Sequence, residues 1–494
     1  MRCQRQYLCA FKKNCKPPSS LHIPKLIIPK IREYADRKYK LFNDSIDLTH
    51  INWKEHINDT LFQYHLHYND FILGIDKGTG LDIILNWIHE NPPSDSIEWD
   101  PYTISIRVVN WIKFIAKFDI KDQTIYNSLH LQGIWLYHQR EFHLLANHFF
   151  KNIVALLYLG YVFSNKKWFQ WALHDLNKQI DEQITKEGYH FEFSPTYHAI
   201  FTKDLLNVYN LLSNNDCNVN NETVRNLQNV TSSALYWNQY YYDKEGYLPI
   251  NDVNYQDTPQ PDEIIKLAQV LGINSKKNQH SSYYPTINNG SMKIMMCCAP
   301  FNPPYNPSHS HADINSVLLW YNGKRILVDT GNYTYSESDE RAYSRSTKAH
   351  NTIEIDSSDQ AEMWKAFRVG NRAFITEPEI SSKLIRCTYK FRNISHSREI
   401  KIENDAIIIR DILLATGEHA FRMFFHFSPN CSIQLSENNV IIDNNMEFIL
   451  SDENIVGEKT SLFPKMYIKE DKDTLIVSGR FVDTKFLETR IRAL

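Results

Sequence analysis

The sequence predicts an α+β protein of more than one domain, a helical first half followed by a mainly antiparallel β second half. Three observations carry this. Apolar residues recur at helical spacing in long stretches of the first half. The texture changes around residues 255–290, where Pro and polar residues cluster. After Gly290 come many short strand-like runs, the pattern of a β-sandwich. A length of 494 residues allows two or three domains at roughly 100–200 residues each.

The helical signals come first. Residues 104–117 place Ile106, Val109, Ile112 and Phe114 at near-helical spacing, and 142–163 and 198–213 repeat the texture. Asn91-Pro92-Pro93, Lys186-Glu187-Gly188 and Ser213-Asn214-Asn215-Asp216 break them. One more helix is expected over Glu263–Leu271. Asn322-Gly323 between two apolar runs in 315–329 predicts a tight hairpin. Further strands are expected at 351–356, 397–402, 405–414, 420–427 and 474–481. The resulting division is a basic extension at 1–45, a helical domain at 46–280 and a β-sandwich at 281–494.

Charge and composition narrow the function classes. The net charge is −3, so no strong overall field draws in a polyanion and no nucleic-acid partner is expected. The first 40 residues carry eleven Lys or Arg against Glu33 and Asp36, which reads as a solvated tail. Eight cysteines show no Cys-x-x-Cys and no disulfide-framework spacing, so free thiols in a reducing compartment are expected. No signal peptide is visible. The apolar stretch Ile153 to Phe163 falls short of the ~20 residues a membrane span needs. A cytoplasmic or membrane-peripheral place is expected, or a periplasmic one if the chain starts further upstream.

Polar clusters stand out from this background. His309 and His311 are two apart and would share one face of a strand. With Asp329 and His350 from neighbouring strands, they could offer zinc its imidazole and carboxylate ligands, although His-x-His also occurs in plain polar loops. Asn147-His148, with Asn152, sits at the start of an apolar helix, where helix-to-helix hydrogen bonding is the simpler explanation. Ser194-Pro195-Thr196-Tyr197-His198 could be no more than a capped helix start.

Together these stretches resemble the heparinase II/III family, which also takes in alginate-type lyases. The resemblance rests on HLLANHFFKNIVALLYLG, GYHFEFSPTYHAIFTKDLL, PSHSHADINSVLLWYNGKRILVDTGNYTY and RAYSRSTKAHNTIEIDSSDQAEMWKAFRVGNRA. It implies an α/α toroid followed by an antiparallel β-sandwich. It matches Asn147 to the asparagine that holds a uronate carboxylate, with His148 beside it. It matches Tyr197 to the catalytic tyrosine and His309 to the catalytic histidine. It matches His311, Asp329 and His350 to the ligands of a zinc ion found in some members, here expected to be structural.

The implied reaction is β-elimination on an acidic, uronate-containing polysaccharide, giving a C4–C5 unsaturated end. Asn147 would mute the carboxylate charge, and Tyr197 and His309 would share the acid and base work. Arg107, Arg341, Tyr343 and Arg345 are candidates for holding substrate acids, against the plain alternative of ion pairing. No organic cofactor is expected, since no Gly-rich phosphate loop is present. Two alternatives remain open. One is a uronate C5-epimerase on the same scaffold, and the other is a non-catalytic glycan-binding protein of a surface-polysaccharide pathway. The oligomeric state is not legible.

Overall fold

A computed structural model describes residues 20–28, 38–56, 59–254, 258–277, 281–436, 439–451 and 454–494. Most of the basic extension, including Arg2, Arg5, Lys12, Lys13, Lys16, Lys30, Arg32 and Arg37, lies outside the described residues, as do Cys3, Cys9 and Cys15. Two compact units emerge. Among the described residues, the first takes in those within Met1–His190, Ala199–Asn238 and Pro259–Lys276; the second takes in those within Phe191–His198, Gln239–Thr258 and Lys277–Leu494. Two segments from before residue 280 therefore belong with the second unit.

The first unit is helical. Its helices include Thr60–Tyr68, Lys77–Glu90, Pro101–Phe118, Gln123–His138, Ala146–Val162, Lys166–Gln183 and Asn221–Tyr240. Their starts are written in the sequence. Asp59, Asp76, Asp100, Asp122 and Asn165 each accept a backbone N–H from the first turn of the helix they precede. The Pro101–Phe118 helix is buried on almost every side, and the polar side chains it buries find partners, as Arg107 does on Gln132 and Lys113 on Asn207. Trp87 packs edge-on against Trp111, and Trp99 against Trp135. No helix among the described residues is long and apolar enough to cross a membrane.

The second unit is built on antiparallel sheets. Thr286–Asn289, Met292–Met296, Val317–Tyr321 and Lys324–Leu327 form a four-stranded sheet in that order. Asn322 and Gly323 both have positive φ, 51° and 77°, which the tight hairpin turn requires. A larger, 11-stranded sheet is organised on two long partners, Ala406–His426 and Ile468–Ala493. The strands expected at 405–414 and 420–427 are one strand. The register shifts between Leu414 and Glu418, and Gly417 at φ 100° absorbs the irregularity without ending the pairing. Ile294 and Leu319 from the small sheet share one core with Ile407, Ile409, Phe425 and Val477 from the large one.

Candidate active site

In the second unit, one carboxylate gathers the candidate residues. Asp252 is fully buried. Its Oδ2 lies 2.9 Å from His309 Nδ1 and its Oδ1 lies 2.9 Å from His311 Nε2. Arg341 donates to both oxygens, Nη2 to Oδ2 at 2.9 Å and Nη1 to Oδ1. Burial alone would raise the Asp252 carboxyl, but Arg341 and the two imidazoles outweigh it and hold it well below the usual range. The backbone around it is pinned as well. Asp252 N donates to His309 O at 3.2 Å, and Ser194 Oγ donates to Asp252 O. Asn251, at φ 54°, accepts the His311 N–H at 2.8 Å and donates to Phe193 O at 3.0 Å.

Tyr197 lies against this cluster. Its ring centroid is 3.9 Å from that of His309, at an interplanar angle of 31°. Ser194 caps the start of the Pro195–Asn214 helix, accepting the His198 N–H at its carbonyl, 2.9 Å away. Burial, with Tyr335 and Asp252 nearby, pushes the Tyr197 phenol well above its ordinary value, so it stays protonated. The rings of Tyr335 and Phe367 flank both His309 and Arg341.

His311, Asp329 and His350 form the neighbouring group. The His311 and His350 rings are 5.5 Å apart, and His350 Nδ1 is 2.7 Å from Asp329 Oδ2. Among the described residues no three or more His, Cys, Asp or Glu stand ready to hold a metal ion. Two buried nitrogens nevertheless lack a hydrogen-bond partner there, His311 Nδ1 and His350 Nε2. Burial lowers His311 to about 4, so it is neutral and one ring nitrogen keeps a lone pair. Burial also raises Asp313, beside Asp329, to about 6. Both orphaned nitrogens fit a metal such as zinc. Asp329 fits less directly, because both of its oxygens are already engaged, Oδ2 by His350 and Oδ1 by the Gly331 N–H at 3.3 Å.

In the first unit, Asn147 and His148 open the Ala146–Val162 helix. The helix starts four residues later than the apolar pattern suggests, because Leu145 and Ala146 both take positive φ, 58° and 48°. Such a conformation costs non-glycine residues of order 1–3 kcal/mol and persists only where neighbours impose it. Buried Glu141 imposes it. Its N–H donates to Asn152 Oδ1 at 2.8 Å, its Oε2 accepts from Asn152 Nδ2 at 2.9 Å, and its Oε1 meets His148 Nδ1 at 2.8 Å. His148 also packs on Tyr102, with centroids 4.3 Å apart. Asn152 is thus a bracket for the loop that presents Asn147 and His148.

The four residues expected to hold substrate acids have other places. Arg107 is fully buried, with Nε on Gln132 Oε1 at 2.9 Å and its guanidinium 3.8 Å over Trp87. Arg341 is committed to Asp252. Arg345 is buried and donates to Lys365 O at 3.2 Å and Arg368 O at 3.4 Å. Tyr343 is half-buried, edge-on to Phe463. The three guanidiniums are directed at protein groups, although Arg107 Nη2 and Arg345 Nε find no hydrogen-bond partner among the described residues. Sequence reasoning missed Asp252 and Glu141. The only sequence signal for Asp252 is the polar Asn251-Asp252 pair between Ile250 and Val253.

The first unit carries the Asn147-His148 pair and the second the Tyr197–His309 pair. The chain belongs to the heparinase II/III-like family. Residues 82–259 match the Heparinase II/III N-terminus, and residues 273–477 match the Heparinase II/III-like C-terminal region. Among its relatives is a heparin-sulfate lyase of Bacteroides stercoris, 23% identical over 328 residues, 58% of this chain and 48% of that one. Another is the heparin-sulfate lyase of Pedobacter heparinus, 22% identical over 382 residues, 67% and 56%. The chain thus spans about half the length of these curated relatives. The crystal structure of heparinase III matches with a TM-score of 0.74 at 14% identity, over 99% of this chain and 89% of that one. The heparan sulfate lyase HepC from Pedobacter heparinus matches at 0.61 and 16%, over 99% and 87%. These likenesses give the fold class, an α+β multidomain chain with its helical part first.

Proposed function

We propose that this chain is a polysaccharide lyase that breaks an acidic glycosaminoglycan by β-elimination. The observation that carries the reading is the protonated Tyr197 phenol stacked on a His309 imidazole that Asp252 holds. The named activity of the relatives supports it.

Elimination begins with the proton at C5 of the uronate. Its removal builds charge onto the neighbouring carboxylate, and the family resemblance gives Asn147, with His148, the task of answering that charge with hydrogen bonds. His309 takes the C5 proton and Tyr197 gives its proton to the departing O4. The C4–O4 bond breaks and a C4–C5 double bond forms. Where the C5 proton lies on the opposite sugar face, Tyr197 serves as base only after losing its own proton, and then passes the C5 proton to O4 as acid.

The experiment is incubation with a panel of heparan, chondroitin and alginate chains. Ultraviolet absorbance of the unsaturated end is followed together with chain length. Rising absorbance with shortening chains is expected. Solvent deuterium entering C5 without cleavage would make the protein an epimerase, and binding with neither change would make it a glycan-binding protein. Asn147→Ala is expected to lower kcat about 10²–10³-fold, as loss of one charge-stabilising donor does. A change confined to KM would count against its role.

One zinc ion completes the reading, held by His311, Asp329 and His350. When bound it ties three segments together and orients their side chains. Protein purified without chelator is expected to carry about one equivalent of zinc. A strong chelator should lower Tm, because a ligand of the native state adds stability. Less than about a tenth of an equivalent, with Tm unmoved by chelator, would remove zinc from the reading.

A further inference from the structure

We propose that Asp252 is a positioning residue whose single carboxylate sets the tautomers of two imidazoles at once, so that His309 presents Nε2 and His311 presents Nδ1. The consequence for turnover rests on the lyase reading, but the tautomers themselves do not.

The two rings meet the Asp252 carboxylate through different nitrogens. Oδ2 meets Nδ1 of His309, whereas Oδ1 meets Nε2 of His311, each at 2.9 Å. An ionised carboxylate only accepts hydrogen bonds. Arg341, buried and donating to both oxygens, keeps Asp252 in that form. Each ring must therefore turn its N–H toward Asp252. In a neutral imidazole the other nitrogen then holds the lone pair. For His309 that nitrogen is Nε2, the atom able to take a proton. For His311 it is Nδ1, which is buried and without a partner among the described residues.

The arrangement resists rearrangement. His309 is stacked at 3.9 Å on Tyr197, and His311 N is fixed to Asn251 Oδ1 at 2.8 Å. Arg341 has further anchors at Asn332 Oδ1, 3.0 Å, and Ala366 O, 2.9 Å. The carboxylate can thus neither leave nor rotate to favour one ring. It couples the proton-transfer imidazole to the imidazole next door, although the two point their lone pairs in different directions.

Asp252→Asn tests this with little change of volume. Arg341 only donates, so it claims the amide oxygen and leaves the amide NH₂ facing one imidazole. That ring must then accept, and its tautomer inverts. Nitrogen-15 NMR of histidine-labelled protein, assigned with His309→Gln and His311→Gln, reads both rings. The expected result is Nδ1–H on His309 and Nε2–H on His311 in the native chain, and inversion of at least one ring in Asp252→Asn. With an active preparation, kcat should fall about 10²–10⁴-fold while KM moves only several-fold. The opposite tautomer on either native ring overturns the proposal. So does an Asp252→Asn protein with both tautomers and kcat unchanged. If Asp252→Asn does not fold, the native tautomers alone decide. If the native tautomers are as stated but no acidic glycan is cleaved, the lyase reading fails and the positioning role stands.

Discussion

Tyr197→Phe is expected to cost kcat about 10²–10⁴-fold, the usual worth of one acid–base group. At 1.36 kcal/mol per decade this is about 2.7–5.4 kcal/mol of barrier. The fold should lose far less. Phenylalanine keeps the ring that stacks on His309 and fills the same buried place. It gives up one hydroxyl interaction with Tyr335, worth about 0.5–1.5 kcal/mol. Activity and stability should therefore separate cleanly, with turnover nearly abolished and Tm close to that of the native chain. A well-folded Tyr197→Phe with native turnover would remove Tyr197 from the mechanism. The pH profile offers a second check. Burial raises the phenol, so deprotonation of Tyr197 should not limit kcat below about pH 10.

Local signals in this sequence translate directly into structure. Asx residues ahead of apolar runs became helix caps, and Asn322-Gly323 became the hairpin turn. The Tyr197–His309 pair was legible only through the family resemblance. The residues lie more than a hundred positions apart, and no periodicity joins them. Asp252 shows the limit most plainly. Its partners stand 57, 59 and 89 residues away, so nothing near it announces three bonds to buried groups. The burial of the arginines was hidden for a related reason. A buried Arg107 with its guanidinium over Trp87 and a surface arginine look alike in a string of letters. The Leu414–Glu418 irregularity reads as a turn in sequence because glycine at 417 serves a bulge as well as a turn.

Arg398→Met is expected to destabilise the second unit by about 3–5 kcal/mol, the cost of removing one partner from a buried ion pair. Arg398 and Asp411 are both fully buried on neighbouring strands. Nε lies 2.7 Å from Asp411 Oδ1 and Nη2 lies 3.1 Å from Oδ2. Nη1 reaches Asn315 O at 2.8 Å and Asn351 O at 2.7 Å, next to the segments that carry His311 and His350. His396 Nε2 is the second partner of Asp411, at 2.6 Å. The design repeats the Asp252 cluster, but its outward bonds hold backbone. Methionine keeps most of the stem and removes the charge, so Asp411 is left buried against a single histidine. The sign of the pH dependence follows. Burial works to raise the Asp411 carboxyl, but Arg398 and His396 prevail and hold it below its ordinary value. Its contribution to native stability is present above the unfolded pKa near 4 and is lost as pH falls through the lower folded value. Without Arg398 the burial term dominates and the carboxyl rises. The gap between native and variant should then be widest near pH 7 and narrower near pH 4, where a protonated Asp411 needs no counter-charge. Denaturant unfolding of both proteins at about pH 7 and about pH 4 reads this difference directly. A gap that stays constant, or widens toward acid, would show that Arg398 stabilises through packing and its two carbonyl bonds rather than through Asp411.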